Sequence, residues 1–339
     1  MKVLIVGEFS GVAKNLAIGF GKLDIQTDLI GDGDGYKNIS NSVPNIFNSN
    51  RVWRWARQIF KGISCLSENY DCVIFLSPFV FKYPLFLNNR LYESLISCAQ
   101  NSILLACTSD SVWWRDYDPT VGRSPHFGSL KDSNGKMHRF YKDRFYNSNL
   151  ALVKMVDRVV ALAPEYKIAY QDHCENLSWV PFPYELVPRP ISAVKRKYVY
   201  HGITRSGFKG SKYLLSMMEK FESGGLKSIV TEKLDYSEFL KHLHQSVLYL
   251  DQFFSHSPAM GALTALNFVP YVITGIQYNK ENHDYFSECP AIDVFEDTDR
   301  LIGIISSAED YEDQLDVNAA FLFKHHNPVK ICTTIGDLA

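Results

Sequence analysis

The chain has 339 residues, a formal net charge of -2 and 21% charged residues, which excludes the broad basic field of a general nucleic-acid binder. That length favours two domains over one core, and 46% hydrophobic content excludes a disordered chain. Seven scattered cysteines show no paired metal-ligand spacing, the pattern of reduced thiols in a cytoplasmic protein. No apolar run is long enough to span a bilayer, and MKVLIVGEF reads as a strand instead of a secretory leader.

Lys2 to Val6 predicts a first strand, Gly7 to Gly11 a turn, and Val12 to Leu23 a helix. This is the opening of a Rossmann-like domain without GxGxxG spacing, which disfavours a nicotinamide-dependent dehydrogenase. The tight Ser10-Gly11 turn either brings backbone amides to a bound sugar or phosphate or is a close-packed strand-to-helix turn. Thr27 to Ile30 predicts the second strand, and the acidic glycine cluster Gly31 to Gly35 reads as a turn, since it lacks the ligand series of a calcium loop. The segment RVWRWARQIFKGISCL predicts an amphipathic basic helix, either one face on a core or a membrane-surface element.

Cys72 to Leu76 and Ile103 to Cys107 predict buried strands with a helix from Leu91 to Ala99 between them. After Cys107 come Asp110, Trp113, Trp114 and Arg115. A carboxylate and a guanidinium suit sugar hydroxyls, and aromatic faces suit the apolar faces of a sugar ring. Asp110 is thus a candidate acid/base or acceptor-contacting group, its alternative being a helix N-cap. Asp116-Tyr117-Asp118 mimics a metal-binding DxD, a motif too common to weigh alone. Residues 119–149 read as a long excursion with some helix. A strand from Val156 to Leu162, a helix from Pro164 to Asp172 and the extended Trp179 to Pro183 close the first domain, with a proline-rich hinge between Pro183 and Lys195.

In the second half, Lys197 to His201 is a strand running into Gly202, Arg205, Lys209 and Gly210 before a helix. Amides at a helix start favour an anion, and Arg205 and Lys209 would add charge-assisted bonds to a diphosphate; a solvated basic turn is the alternative. Ser228 to Val230 predicts a strand, Asp235 with Glu238 a capping box for the helix Tyr236 to His244, and Leu248 to Asp251 a strand delivering Asp251 and Gln252. Ser257 to Gly261 leads a further helix, and Val269 to Ile273 a further strand, which completes a parallel α/β unit. Ile292 to Phe295 is the expected last strand, followed by a helix from Asp297 to Ala308 and a helical tail from Leu315 to Ile335 broken at Pro328.

His201, Gly202, Arg205, Lys209 and Gly210, the Asp251-Gln252 strand end and the stretch Leu263 to Gly275 resemble the nucleotide-sugar half of GT-B glycosyltransferases, in particular the retaining family that builds bacterial surface polysaccharides such as O-antigen and capsule. The resemblance implies an α/β GT-B fold of two Rossmann-like domains facing across a cleft: residues 1–187 for the acceptor, 188–318 for the nucleotide sugar, and a helical tail, 319–339, crossing back. It implies a metal-independent hexosyltransferase without cofactor, acting on a polysaccharide or lipid-linked glycan hydroxyl in the cytoplasm, with peripheral association at the inner membrane face as a further expectation. Catalysis is expected from Asp110, Arg205 and Lys209. Donor contacts are expected from Gly11, His201, Gly202, Arg205, Lys209, Leu234, Asp251, Gln252, His256, Gly261 and Thr264, and acceptor contacts from Ser10, Trp113, Trp114 and Arg115. The family's two glutamates fall at His256 and Thr264, so a non-catalytic homologue that binds glycan or nucleotide is the competing expectation.

Overall fold

A computed structural model describes residues 1–30, 67–78, 85–117, 138–189, 196, 198–276, 283–294, 297–308 and 311–338. The basic helix expected at residues 51–66, the glycine cluster at 31–35 and Asp118 lie outside the described residues. The described residues of Met1–Asp118, Met137–Glu185 and Pro328–Ala339 form one compact unit, and those of Leu186–Asn327 form the other.

In the first unit the order is β1 (Lys2–Val6), α1 (Val12–Lys22), β2 (Gln26–Ile30), β3 (Tyr70–Phe75), α2 (Leu85–Ser97), β4 (Ala99–Ala106), α3 (Ser111–Asp116), α4 (Asp143–Met155), β5 (Arg158–Ala161), α5 (Pro164–Tyr170) and β6 (Leu177–Trp179). The six strands form one sheet in the order β2-β1-β3-β4-β5-β6, parallel throughout. Continuous apolar runs such as Val3 to Val6 and Val73 to Leu76 are fully buried, as a parallel sheet covered on both faces demands. Of the excursion with some helix expected over residues 119–149, residues 119–137 lie outside the described residues, and the rest runs into a well-formed helix, α4, from Asp143. Its buried Phe145, Leu152 and Val153 give it a core-facing stripe, which the polar residues between them disguise.

The second unit runs β7 (Tyr198–Ile203), α6 (Ser206–Lys209), α7 (Ser211–Ser223), β8 (Lys227–Glu232), α8 (Tyr236–His244), β9 (Ser246–Leu250), α9 (Met260–Phe268), β10 (Tyr271–Thr274), α10 (His283–Glu288), β11 (Ile292–Asp293), α11 (Thr298–Ser307) and α12 (Glu312–His325). Its sheet is also parallel, in the order β11-β10-β9-β7-β8. Val199, Leu214, Phe221, Leu248 and Ile273 meet in its core. Asn318 on α12 donates to the carbonyls of Val269 and Pro270 at 3.0 and 3.1 Å, which ties the bend between α9 and β10 to that helix.

At Pro328 the chain enters α13 (Pro328–Leu338), which packs on α1 in the first unit. Gly19 makes this possible, because a side chain there would begin 2.5 Å from the Pro328 carbonyl and 2.6 Å from Cys332 Sγ. Cys332, Ile331 and Ile335 are buried at that contact.

Candidate functional site

Strand order decides where a ligand can enter each sheet. In the second unit β8 lies on one side of β7, and β9 on the other. The connections after β7 and β9 therefore diverge at the carboxyl ends of these strands, the topological switch point at which open α/β sheets bind ligands. Two charged side chains meet there. Lys209, the last residue of α6, places Nζ 2.9 Å from Oδ1 of Asp251 and 3.3 Å from the Gly202 carbonyl. Asp251 directly follows β9 and is 2% exposed, so its charge needs this partner. Tyr249, two residues earlier on the same strand and hence on the same side, also donates to Oδ1 at 3.3 Å.

Glycines let the backbone close around this pair. Gly210 has φ 68° and ψ 35°, a left-handed conformation that suits glycine. A Cβ there would sit 2.7 Å from the Phe253 Cβ, and the Phe253 amide donates to the Lys209 carbonyl at 2.7 Å. Gly261, at the start of α9, faces Asp251 so closely that a Cβ would lie 2.7 Å from Oδ1.

His201 is wholly buried. Its Nδ1 lies 2.8 Å from the Leu250 carbonyl and its Nε2 lies 2.9 Å from Ser211 Oγ. A carbonyl only accepts, so Nδ1 carries the proton and Nε2 accepts from the Ser211 hydroxyl. Burial, then the charge of Lys209, pushes the imidazole down to about 4. His201 is thus a neutral brace between β7, β9 and the first residue of α7.

The other expected donor contacts occupy varied surroundings. Arg205 is exposed, and its guanidinium lies 3.8 Å from the centre of the Phe208 ring, a cation–π contact. Gln252 is buried, and its carbonyl accepts from the Gly275 amide at 2.8 Å. Thr264 is buried and donates to the Met260 carbonyl of its own helix at 2.8 Å. His256 is 3% exposed. Leu234 is half-buried in the loop before α8.

In the first unit, Ser10 and Gly11 have φ of 51° and 92°. Oε1 of Glu8 accepts from the Gly11 amide at 2.8 Å, and its Oε2 from the Lys14 amide at 3.3 Å. The turn thus carries its own carboxylate at the start of α1, on the amides that the sequence offers either to a sugar or phosphate or to a close-packed strand-to-helix turn. Glu8 carries no sequence signal for this role, because Glu is not a usual N-cap residue.

Asp110, Trp113 and Trp114 are 1%, 3% and 2% exposed. Asp110 caps α3 by accepting from the Trp113 amide at 3.1 Å, and its other oxygen accepts from the Tyr170 hydroxyl at 2.7 Å. Trp113 stacks on Tyr117, and Trp114 on His138. The cap and core roles take precedence here over the sugar contacts expected of these three, because both carboxylate oxygens and both indoles are enclosed. Arg115 pairs with Asp143 at 2.8 Å and lies over the Tyr146 ring.

Burial raises Asp110 to about 6, against the hydrogen bonds from Tyr170 and Trp113 that favour its charge. Asp110 and His201 impose opposite pH dependences. Native Asp110 holds its proton above the range in which the unfolded chain has lost it, so its ionisation costs stability as pH rises from about 4 to about 6, on the order of 3 kcal/mol in full. His201 stays neutral where the unfolded chain takes up a proton, so its share of stability is lost as pH falls from about 6.5 to about 4. Calorimetry should find that Asp110→Asn, which keeps a good N-cap, stands above the parent at neutral pH and converges with it near pH 4. A gap independent of pH would refute the buried titration.

No protein-family model matches the chain, and no curated protein sequence does either. Solved structures do. An α-glucosyltransferase in complex with UDP and a 13-mer DNA containing an HMU base superposes with a TM-score of 0.63 at 12% identity, covering 100% of this chain and 99% of that one. Sucrose-phosphate synthase from Thermosynechococcus elongatus gives 0.57 at 8% identity, covering 100% and 98%. HepE from Anabaena, in complex with UDP-glucose, gives 0.54 at 10% identity, covering 99% and 98%. With two parallel α/β units and full-length superposition on these enzymes, the chain has the GT-B glycosyltransferase fold.

Proposed function

We propose that the protein is a metal-independent, retaining glycosyltransferase that moves a sugar from a nucleoside diphosphate to a hydroxyl of a polysaccharide or lipid-linked glycan. It would act in the cytoplasm, with peripheral attachment to the membrane. No helix among the described residues is long and apolar enough to cross a bilayer. The observation that carries the reading is the Lys209–Asp251 pair at the switch point of the second sheet. In the reaction the bond from the sugar's anomeric carbon to the diphosphate breaks, a bond from that carbon to the acceptor oxygen forms, and the acceptor hydroxyl's proton passes to the departing diphosphate. Negative charge grows on the departing diphosphate, and a preorganised ammonium beside it stabilises that charge. Asp251 holds the Lys209 ammonium in place at 2.9 Å, while Gly210 and Gly261 let Phe253 and Asp251 pack close around it. Arg205, on the exposed loop before α6, would close on the same diphosphate.

The competing reading, a GT-B homologue that binds nucleotide or glycan without turnover, is favoured by the positions 256 and 264. Neither carries a carboxylate, and the Thr264 hydroxyl is spent on its own helix. Thermal shifts with a panel of nucleoside diphosphates and nucleotide sugars, read beside a hydrolysis and transfer assay, separate the two. The transferase should be protected by one base and turn over the matching sugar. Arg205→Ala should weaken that nucleotide about tenfold or more. Protection without turnover when acceptors are supplied favours the second reading, and an Arg205→Ala protein with unchanged affinity removes Arg205 from the donor site.

A further inference from the structure

The solvent side of α7 has no part in the donor site, yet it joins two features that belong together chemically. Near its start Tyr213 is 50% exposed and stacks on Phe253 with ring centres 4.5 Å apart and planes 18° apart. Phe253 covers one face of the tyrosine ring and Phe254 meets it in a T-shaped contact at 5.8 Å, while half of the residue's surface stays open to solvent. The pair is held in place, since the Phe253 amide is bonded to the Lys209 carbonyl and Gly210 leaves no gap beneath the rings. Further along the same helix a surface groove opens, walled by Ser216, Glu219, Lys220 and Ser223 on α7 and by Thr298 and Asp299 at the start of α11. From Tyr213 to Ser223 the helix rises about 15 Å, the span of a short oligosaccharide.

We propose that this side of α7 is a carbohydrate-binding groove for a neutral linear oligosaccharide, with Tyr213 as the stacking platform at one end. A sugar ring offers an apolar C–H face, which an open aromatic face matches, and a rim of hydroxyls that both donate and accept. The groove supplies acceptors in Glu219, Asp297 and Asp299, a donor in Lys220, and the Ser216 and Ser223 hydroxyls, which donate to carbonyls of their own helix and keep lone pairs to accept with. Glu219, Asp297 and Asp299 face a single cation, Lys220, so the groove has no field of the kind that draws a polyanion. The groove would tether a glycan chain on the donor-binding unit, outside the site of transfer. It stands independently of the donor assignment.

Isothermal titration of the full chain with maltohexaose, cellohexaose and chitohexaose, with glucose as the monomer control and a heparin hexasaccharide as the anionic control, tests it. At least one neutral hexasaccharide should bind far more tightly than glucose. Tyr213→Ala, which removes the platform, and Ser223→Trp, which fills the groove, should each weaken it about tenfold or more. Nucleoside diphosphate affinity, measured in the same samples, should stay at the parent value, so a failed donor site and a failed glycan groove are told apart. No binding by any neutral hexasaccharide, binding that ignores both substitutions, or binding by heparin alone overturns the proposal.

Discussion

Lys209→Met should lose about 10²–10³-fold in kcat/KM for the donor sugar, the largest catalytic effect expected of a single substitution in the second unit. It should also destabilise the fold by about 3–5 kcal/mol, because it strands a buried carboxylate without its counter-charge. Asp251 is 2% exposed, and its other contact is the Tyr249 hydroxyl at 3.3 Å, on the same oxygen that Lys209 holds. The two losses have separate causes, and a second substitution separates them. Asp251→Asn added to Lys209→Met removes the stranded charge, so stability should return while donor turnover stays low. Denaturant midpoints and single-turnover rates on the four proteins of this cycle provide the check. A Lys209→Met protein that turns over its nucleotide sugar at the parental rate would end the donor-site assignment.

Gly275→Ala should act chiefly on folding. The glycine follows β10, and its amide bonds the Gln252 carbonyl at 2.8 Å. A methyl group there would lie 2.6 Å from the Phe253 carbonyl oxygen, 2.6 Å from that of Ser255 and 2.9 Å from the Ser255 amide nitrogen. All three are backbone atoms, so no rotamer change relieves the contact, and the loop after β9 must move. The cost is about 3 kcal/mol or more. The displaced loop begins at Asp251, so nucleotide affinity should fall with stability. Gly303→Ala is the matched control. That glycine lies within α11, nothing stands within 4 Å of its would-be Cβ, and the substitution should stabilise by about 0.5–1 kcal/mol through helix propensity. Thermal unfolding of both variants reads the contrast, and equal midpoints would mean that the loop yields freely.

The order of strands and helices was legible along the chain because buried parallel strands are continuous apolar runs punctuated by glycine, proline and acidic caps. Val3 to Val6, Ile103 to Cys107 and Leu248 to Leu250 announce themselves in this way. Asp235 with Glu238 marked the start of α8, and the Asp235 carboxylate does accept from the Glu238 amide at 3.0 Å. Helix α4 was harder to read, since its buried residues are interleaved with polar ones.

What residue order alone determined is therefore the local alternation of elements and the residue types held at the strand ends and in the loops and short helices after them, His201, Lys209 and Asp251 among them. Only the tertiary structure decided which of these groups meet. Lys209 and Asp251 are 42 residues apart and become partners because β9 lies against β7 in the sheet. Asp110 and Tyr170 are 60 residues apart and bond in the interior of the first unit, which makes the carboxylate a brace in a core as well as the N-cap that its sequence context offered beside a sugar contact. Periodicity and propensity act over a few residues, whereas burial and charge pairing depend on strand order, and strand order is settled only when the whole sheet has formed.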